Sequence, residues 1–222
     1  MSTSQSTPHP IPARQRRKEA RPQELLDAAL ALFSEKGFSA TRSEEVAAAA
    51  GVSKGTLYLY YPSKEELLKA VIRERVSTEI QSGVDEVLAF TGSNAQVLRE
   101  VLPRWWLRIF ESPASAVFKL IVTEVRNFPD IAEYYREQVV EPGSQLVGGV
   151  VQRGIDAGEF RQVDVESTVH SLILPMVMLC MHKHSLGACS PVPSLMSPHD
   201  FVFQHMDTVT RGIEIHPKPY LS

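Results

Sequence analysis

GFSATRSEEVAAAAGVSKGTLYLYYPSKEELL, residues 37 to 68, holds two short helical patterns separated by a glycine, and each pattern has its own start and stop signals. Thr41 and Glu44 have the spacing of a capping box, in which a hydroxyl and a carboxylate satisfy free amides at a helix start. Val46, Ala47 and Ala50 supply a small apolar face, and Gly51 follows where a residue tolerant of the left-handed conformation ends a helix. Ser53 can cap a second helix, Lys54 to Tyr61, whose Leu57 and Tyr61 lie four apart and point inward, and Pro62 stops it. Ser63 and Glu66 then form a second capping box that opens a third helix.

The second helix has the chemistry of a DNA reader. A helix entering the major groove needs a small polar first turn, because bulk there would hold its backbone away from phosphates and base edges. Ser53, Lys54, Gly55 and Thr56 meet that need, and a lysine at a helix N-terminus adds charge to amides that already attract phosphate. Tyr58 and Tyr60 offer phenol hydroxyls on the side away from Leu57, and Lys64 is free to reach a phosphate. The competing reading is an ordinary helical hairpin with its tyrosines in a core, which gives no reason for Lys54 beside Gly55 at a helix start.

The segment resembles the DNA-binding domain of the TetR family of one-component transcriptional regulators. Phe33, Gly37, Phe38, Thr41, Val46, Ala47, Ala50, Gly51, Val52, Ser53, Gly55, Leu57, Tyr58, Tyr60, Tyr61, Lys64, Glu65 and Leu67 carry the likeness, which runs from Arg21 to Ile72. The resemblance implies that Thr41, Ser53, Lys54, Gly55, Thr56, Tyr58, Tyr60 and Lys64 lie near DNA. Two positions depart from the family pattern. Arg42 replaces a threonine or serine and can add a phosphate contact, while Ser43 replaces an apolar residue and weakens packing under the motif.

Charge distribution agrees with a reading head at the front. The 222-residue chain has a formal charge of −3, yet residues 1 to 64 hold nine Lys/Arg against six Asp/Glu. Arg14, Arg16, Arg17, Lys18 and Arg21 cluster on a Pro/Ser/Thr-rich leader without apolar residues to bury. Residues 1–20 are therefore expected to be a disordered basic arm that follows DNA or enters a minor groove, or else a solvated tail. The leader lacks a hydrophobic signal core, and no apolar run approaches the roughly 18 residues that span a bilayer; a cytoplasmic protein without membrane contact is expected. Cys180 and Cys189 have no metal-like spacing and read as reduced and structural.

With 43% hydrophobic residues the chain can bury a substantial core. Apolar residues recur at helical spacing and no alternating pattern competes, so the fold class is all-α: a helix-turn-helix domain over residues 21–66 and a helical body over 67–222. The expected helices run from Pro22 to Lys36, from Ser63 towards Leu88, and from Leu98 to Ile109 with a kink at Pro103. Further ones carry Val117 to Phe128 and Ile131 to Tyr135, start at Asp164 and contain Pro175, and start at Ser197 with Pro198 first; residues 184–198 read as a loop.

One such head buries too little surface for operator specificity, so modules of this kind work as two-fold dimers on palindromic duplex DNA. The resemblance puts a four-helix homodimer interface on the last two long helices, with Leu172, Ile173, Met176, Phe201, Met206 and Val209 as candidates, although burial within one subunit explains them equally. It also implies an allosteric repressor released by a small apolar or aromatic effector. Trp105, Trp106, Phe110, Phe118, Ile121, Tyr134, Tyr135 and His170 are the candidate pocket, against the alternative that an aromatic stripe is simply core. No cofactor and no metal are expected: Cys180, His182 and His184 diverge on a helix, and no catalytic motif is present. A regulator controlled by a protein partner instead of a small molecule is the remaining competitor.

Overall fold

The computed structural model describes residues 13–189 and 197–215, with only the backbone described for 13–20. Among them are nine helices longer than a single turn. α1 is Ala13–Lys36, α2 is Ser43–Ala49 and α3 is Lys54–Tyr60. α4 is a continuous rod built of Lys64–Ile72, a π-helical turn Arg73–Ser77, and Thr78–Ala89. α5 joins Asn94–Gln96, a second π turn Val97–Val101 and Leu102–Glu111, and α6 is Ser115–Glu124. α7 joins Pro129–Tyr135, a third π turn Arg136–Val140 and Glu141–Asp156. α8 is Val165–Lys183 and α9 is Pro198–Ile213.

The head packs on an apolar cluster in which Leu25, Ala29 and Phe33 of α1, Val46 of α2, and Leu57 of α3 are no more than 1% exposed. Full burial of one such side chain contributes roughly 1.5–3 kcal/mol. α2 ends in a Schellman motif: Gly51 N–H bonds to Ala48 O, Val52 N–H bonds to Ala47 O, and Gly51 takes φ 65°. Ser53, Ser63, Asp164 and Ser197 all cap as their positions predict, each accepting from the amide three residues on.

Several expectations change. α1 begins at Ala13, so part of the supposed arm is helix and Pro22 lies inside it; residues such as Gln15, Lys18, Glu19 and Ala20 favour helix even without an apolar face. Residues 1–12 lie outside the described residues. The kink expected at Pro103 is a π turn just before it, and Pro142 also follows one. Proline cannot donate to the carbonyl four residues back and its ring crowds that oxygen, so widening the preceding turn lets the rod continue. The long helix Glu141–Asp156, which buries Leu146, Val147, Val150 and Val151, lies in a stretch that apolar periodicity around Tyr134 and Tyr135 leaves unassigned. Inside the expected 184–198 loop, Leu186–Cys189 makes one helical turn; residues 190–196 lie outside the described residues.

α8 also overturns the expectation about apolar runs. Val165–Cys189 spans 25 residues with a mean hydropathy of 1.3, enough in length and composition to cross a bilayer, and only 17% of that window is buried. Isolated Ser, His and Pro break the run without lowering its average much. α8 buries Leu172, Met176 and Cys180 against the body and leaves Leu174 and Met178 outside at 58% and 60% exposure.

Candidate nucleic-acid interface and internal cavity

The first turn of α3 is held open and polar by its own cap. Ser53 Oγ accepts from Thr56 N–H at 3.1 Å and lies 2.9 Å from the Thr56 hydroxyl. Ser53, Lys54 and Gly55 are exposed, as are Tyr58 and Arg42; Thr56 and Tyr60 are half-buried, while Leu57 is fully buried and Tyr61 half-buried. One helix thus anchors by one face and presents the other. Leu59, at 81% exposure, stands on the presented side as well, and only its position between Tyr58 and Tyr60 marked it in the sequence.

Two expected DNA contacts are otherwise engaged. Thr41 is 1% exposed and its hydroxyl donates to Gly37 O at 2.8 Å and to Leu32 O at 3.3 Å, so it staples the end of α1 instead of facing solvent. Lys64 Nζ donates to the carbonyls of Phe38, Thr41 and Ser39 at 2.8, 3.0 and 3.3 Å and sits 4.5 Å from the centre of the Phe38 ring. It is a clasp on the α1–α2 turn, not a free cation. The expected Thr41–Glu44 box is shifted by one residue. Arg42 is the N-cap, and its N–H donates to Glu45 Oε2 at 2.9 Å. Ser43 is buried at 8% exposure in the place where the pattern calls for an apolar residue.

Glu44 is thereby released to pair with Lys54 across the two helices. The ion pair holds the Glu44 carboxyl below its usual range and raises the Lys54 ammonium. Both groups are exposed, so the pair adds little stability but places a carboxylate where phosphate would approach. Two outcomes follow. Lys54→Ala should weaken duplex binding by about tenfold or more, selectively at one base if Lys54 reads it and uniformly if it meets phosphate. Glu44→Gln should tighten binding by about two- to fivefold in low salt by removing a competitor of phosphate for Lys54. Fluorescence anisotropy over a salt series measures both.

The head is fastened to the body at a second turn. Gly37 has φ 88°, a left-handed conformation that favours glycine, and it sits against the Glu124 carboxylate. Ser39 Oγ donates to Glu124 Oε2 at 2.7 Å, and the Phe38 ring meets Phe128 edge-on at 4.8 Å between centres.

In the body, α4, α5, α6, α7 and α8 line a mostly apolar cavity of about 240 Å³ that opens at one side. Trp105, Trp106, Phe118, Ile121, Tyr135 and His170 line it, with Ile173 joining from the group expected at a dimer interface. Phe110 does not; it faces an open groove with Met178 and Phe201, under Lys183 Nζ at 4.6 Å from its ring. Tyr134 is also elsewhere, beneath Lys69 Nζ at 5.8 Å on the outer side of α4. Both sit one residue from a lining position, where a helical turn of about 100° per residue changes the face.

The expected interface set divides as well. Leu172, Met176 and Met206 are no more than 1% exposed within one chain, so they cannot be the surface another chain touches; Phe201 and Val209 are half-buried. Residues 172, 176 and 180 form the inward stripe of α8, which leaves 174 and 178 on the outside. Among the described residues no group of His, Cys, Asp or Glu is placed to hold a metal ion. His184 Nε2 lies 2.8 Å from Ser115 Oγ, and burial pushes the Cys180 thiol up to about 12, away from thiolate chemistry. Cys189, read as reduced and structural, is exposed.

A capped helix-turn-helix head on an all-helical body with an apolar cavity is the architecture of a one-component regulator. Residues 25–71 match the family described as bacterial regulatory proteins, tetR family, and residues 88–186 match the tetracyclin repressor-like C-terminal domain. The HTH-type transcriptional regulator YfiR of Bacillus subtilis (strain 168) is 29% identical over 72% of this chain and 77% of its own length. The HTH-type transcriptional repressor KstR2 of Rhodococcus jostii (strain RHA1) is 30% identical over 67% of this chain and 72% of its own. The crystal structure of the transcriptional regulator FadR from Bacillus subtilis in complex with stearoyl-CoA superposes with a TM-score of 0.69 at 17% identity, covering 87% of this chain and 99% of that one. The chain belongs to the TetR family of DNA-binding transcriptional regulators.

Proposed function

We propose that the protein binds a palindromic operator as a two-fold dimer, represses from it, and leaves it when a small apolar or aromatic molecule fills the cavity. The observation that carries this reading is that the cavity and the reading head share helices. Val76 and Ile80 of α4 and Phe118 and Ile121 of α6 are cavity walls. Three residues separate the end of α3 from the start of α4, and α6 carries the Glu124 that bonds Ser39. A ligand that spreads these walls therefore changes the angle of the head, and it shifts the operator-bound population by its difference in affinity for the two states. The neighbour FadR, in complex with stearoyl-CoA, supports a body of this shape as a small-molecule receiver.

Met178 of α8 supports the dimer, since with Leu174, which also borders the cavity mouth, it makes one exposed apolar stripe that favours a covering surface. Phe201 of α9 borders the same groove as Met178 and extends that stripe. Ile173 serves the cavity in this reading, and Arg42, Ser53, Lys54, Gly55, Thr56, Tyr58 and Tyr60 meet the duplex. The test combines a selected operator with a ligand screen read by anisotropy: compounds that raise the melting temperature should lower operator affinity at least about tenfold, a coupling of roughly 1.4 kcal/mol. Compounds that bind in the cavity and leave operator affinity unchanged contradict control by an effector.

A further inference from the structure

The cavity's chemistry restricts what enters it. Its lining is aliphatic and aromatic apart from Ser144, His170, Tyr135 and the Trp106 indole, and among the described residues no Lys, Arg, Asp or Glu contributes. Its mouth is mostly apolar: Val122, Val140 and Leu174 are 55%, 47% and 58% exposed and line the same space, with the exposed His170 as the polar group of the rim. A charged ligand would shed its hydration beyond that rim and, past the imidazole of His170, find no Lys, Arg, Asp or Glu to answer its charge. The space of about 240 Å³ equals roughly eight waters at ~30 Å³ each, so the fit is to a small molecule.

Within this apolar wall some polar groups are left unanswered. Tyr135 lines the cavity, and its hydroxyl has no hydrogen-bond partner among the described residues. Burial raises its pKa well above the usual phenol value, so the group stays protonated and can donate. Trp106 Nε1, buried, also lacks a partner, whereas the adjacent Trp105 Nε1–H donates to Glu79 O at 2.7 Å. The Tyr135 hydroxyl, on a half-buried residue of the cavity wall, has no protein acceptor, so an acceptor brought into the cavity would complete it.

We propose that the cavity takes a small uncharged lipophile carrying one acceptor oxygen, of the ketone, ester or ether kind, which receives the Tyr135 hydroxyl. This rests on the reading of the cavity as the effector site. The test titrates the full chain at pH 8 with decan-2-one, decanoate and butylbenzene, by calorimetry and by the fluorescence of Trp105 and Trp106. Decan-2-one should bind once per chain and change the tryptophan emission, with decanoate at least about a hundredfold weaker. Tyr135→Phe should weaken decan-2-one about three- to tenfold and leave butylbenzene, which has no acceptor oxygen, unchanged. The proposal is overturned if decanoate binds as tightly as the ketone, if Tyr135→Phe leaves the ketone unaffected or weakens butylbenzene equally, or if none of the three binds. The effector reading fails separately, when decan-2-one binds as described and operator affinity does not move.

Discussion

Phe38→Ala should lower the free energy of unfolding by about 3 to 5 kcal/mol and loosen the head from the body. Phe38 is fully buried and meets Phe33 of α1 and Phe128 of the body edge-on, at 5.1 and 4.8 Å between ring centres. Removing it opens a cavity at the joint between the two parts. Lys64 Nζ also lies against that ring while holding three carbonyls of the same turn. Lost packing and a disturbed clasp therefore fall together. Denaturant unfolding followed by tryptophan emission reports the body, and hydrogen exchange in α2 and α3 reports the head. The head should lose protection first. Equal loss throughout, or a change below about 1 kcal/mol, would show that Phe38 does not bridge the two parts.

Met178→Asp should abolish dimer formation and reduce operator affinity by about a hundredfold or more. Met178 is 60% exposed in the single chain, so the substitution leaves the monomer's core untouched. Buried in an interface, the new carboxylate would be unpaired at a cost of several kcal/mol, twice per two-fold dimer. Losing one of two half-site contacts forfeits most of the specific affinity. Sedimentation or light scattering reads the assembly and anisotropy reads the DNA. A Met178→Asp protein that remains a dimer would move the interface away from α8.

Much of the head was legible because its signals are local. Ser53, Gly51 and Ser63 act through their own backbone or an amide three residues away, and a capping residue announces itself in sequence. What the sequence misassigned depends on distant partners. Lys64 reads as a free cation until the carbonyls of Phe38, Ser39 and Thr41, over twenty residues earlier, fold beneath it. Glu44 reads as a cap until Glu45 takes that work and Lys54 draws Glu44 away. In the body, helical spacing marks apolar stripes but not which neighbour each stripe meets. Leu172 and Ile173 are adjacent in sequence, yet one is core and the other cavity wall. Phe110 and Tyr134 failed as cavity residues for the same reason. The π turns beside Pro103 and Pro142 were half visible, since proline signals an interruption without saying how the helix accommodates it.

Selection of bound sites from random duplex DNA, with the full chain at low ionic strength, tests the reading head most directly. The arrangement of α3 predicts an enriched two-fold symmetric sequence with half-sites about one helical turn apart, its binding weakened by Lys54→Ala. Recovery of no enriched sequence, or of one that Lys54→Ala binds equally well, would contradict it.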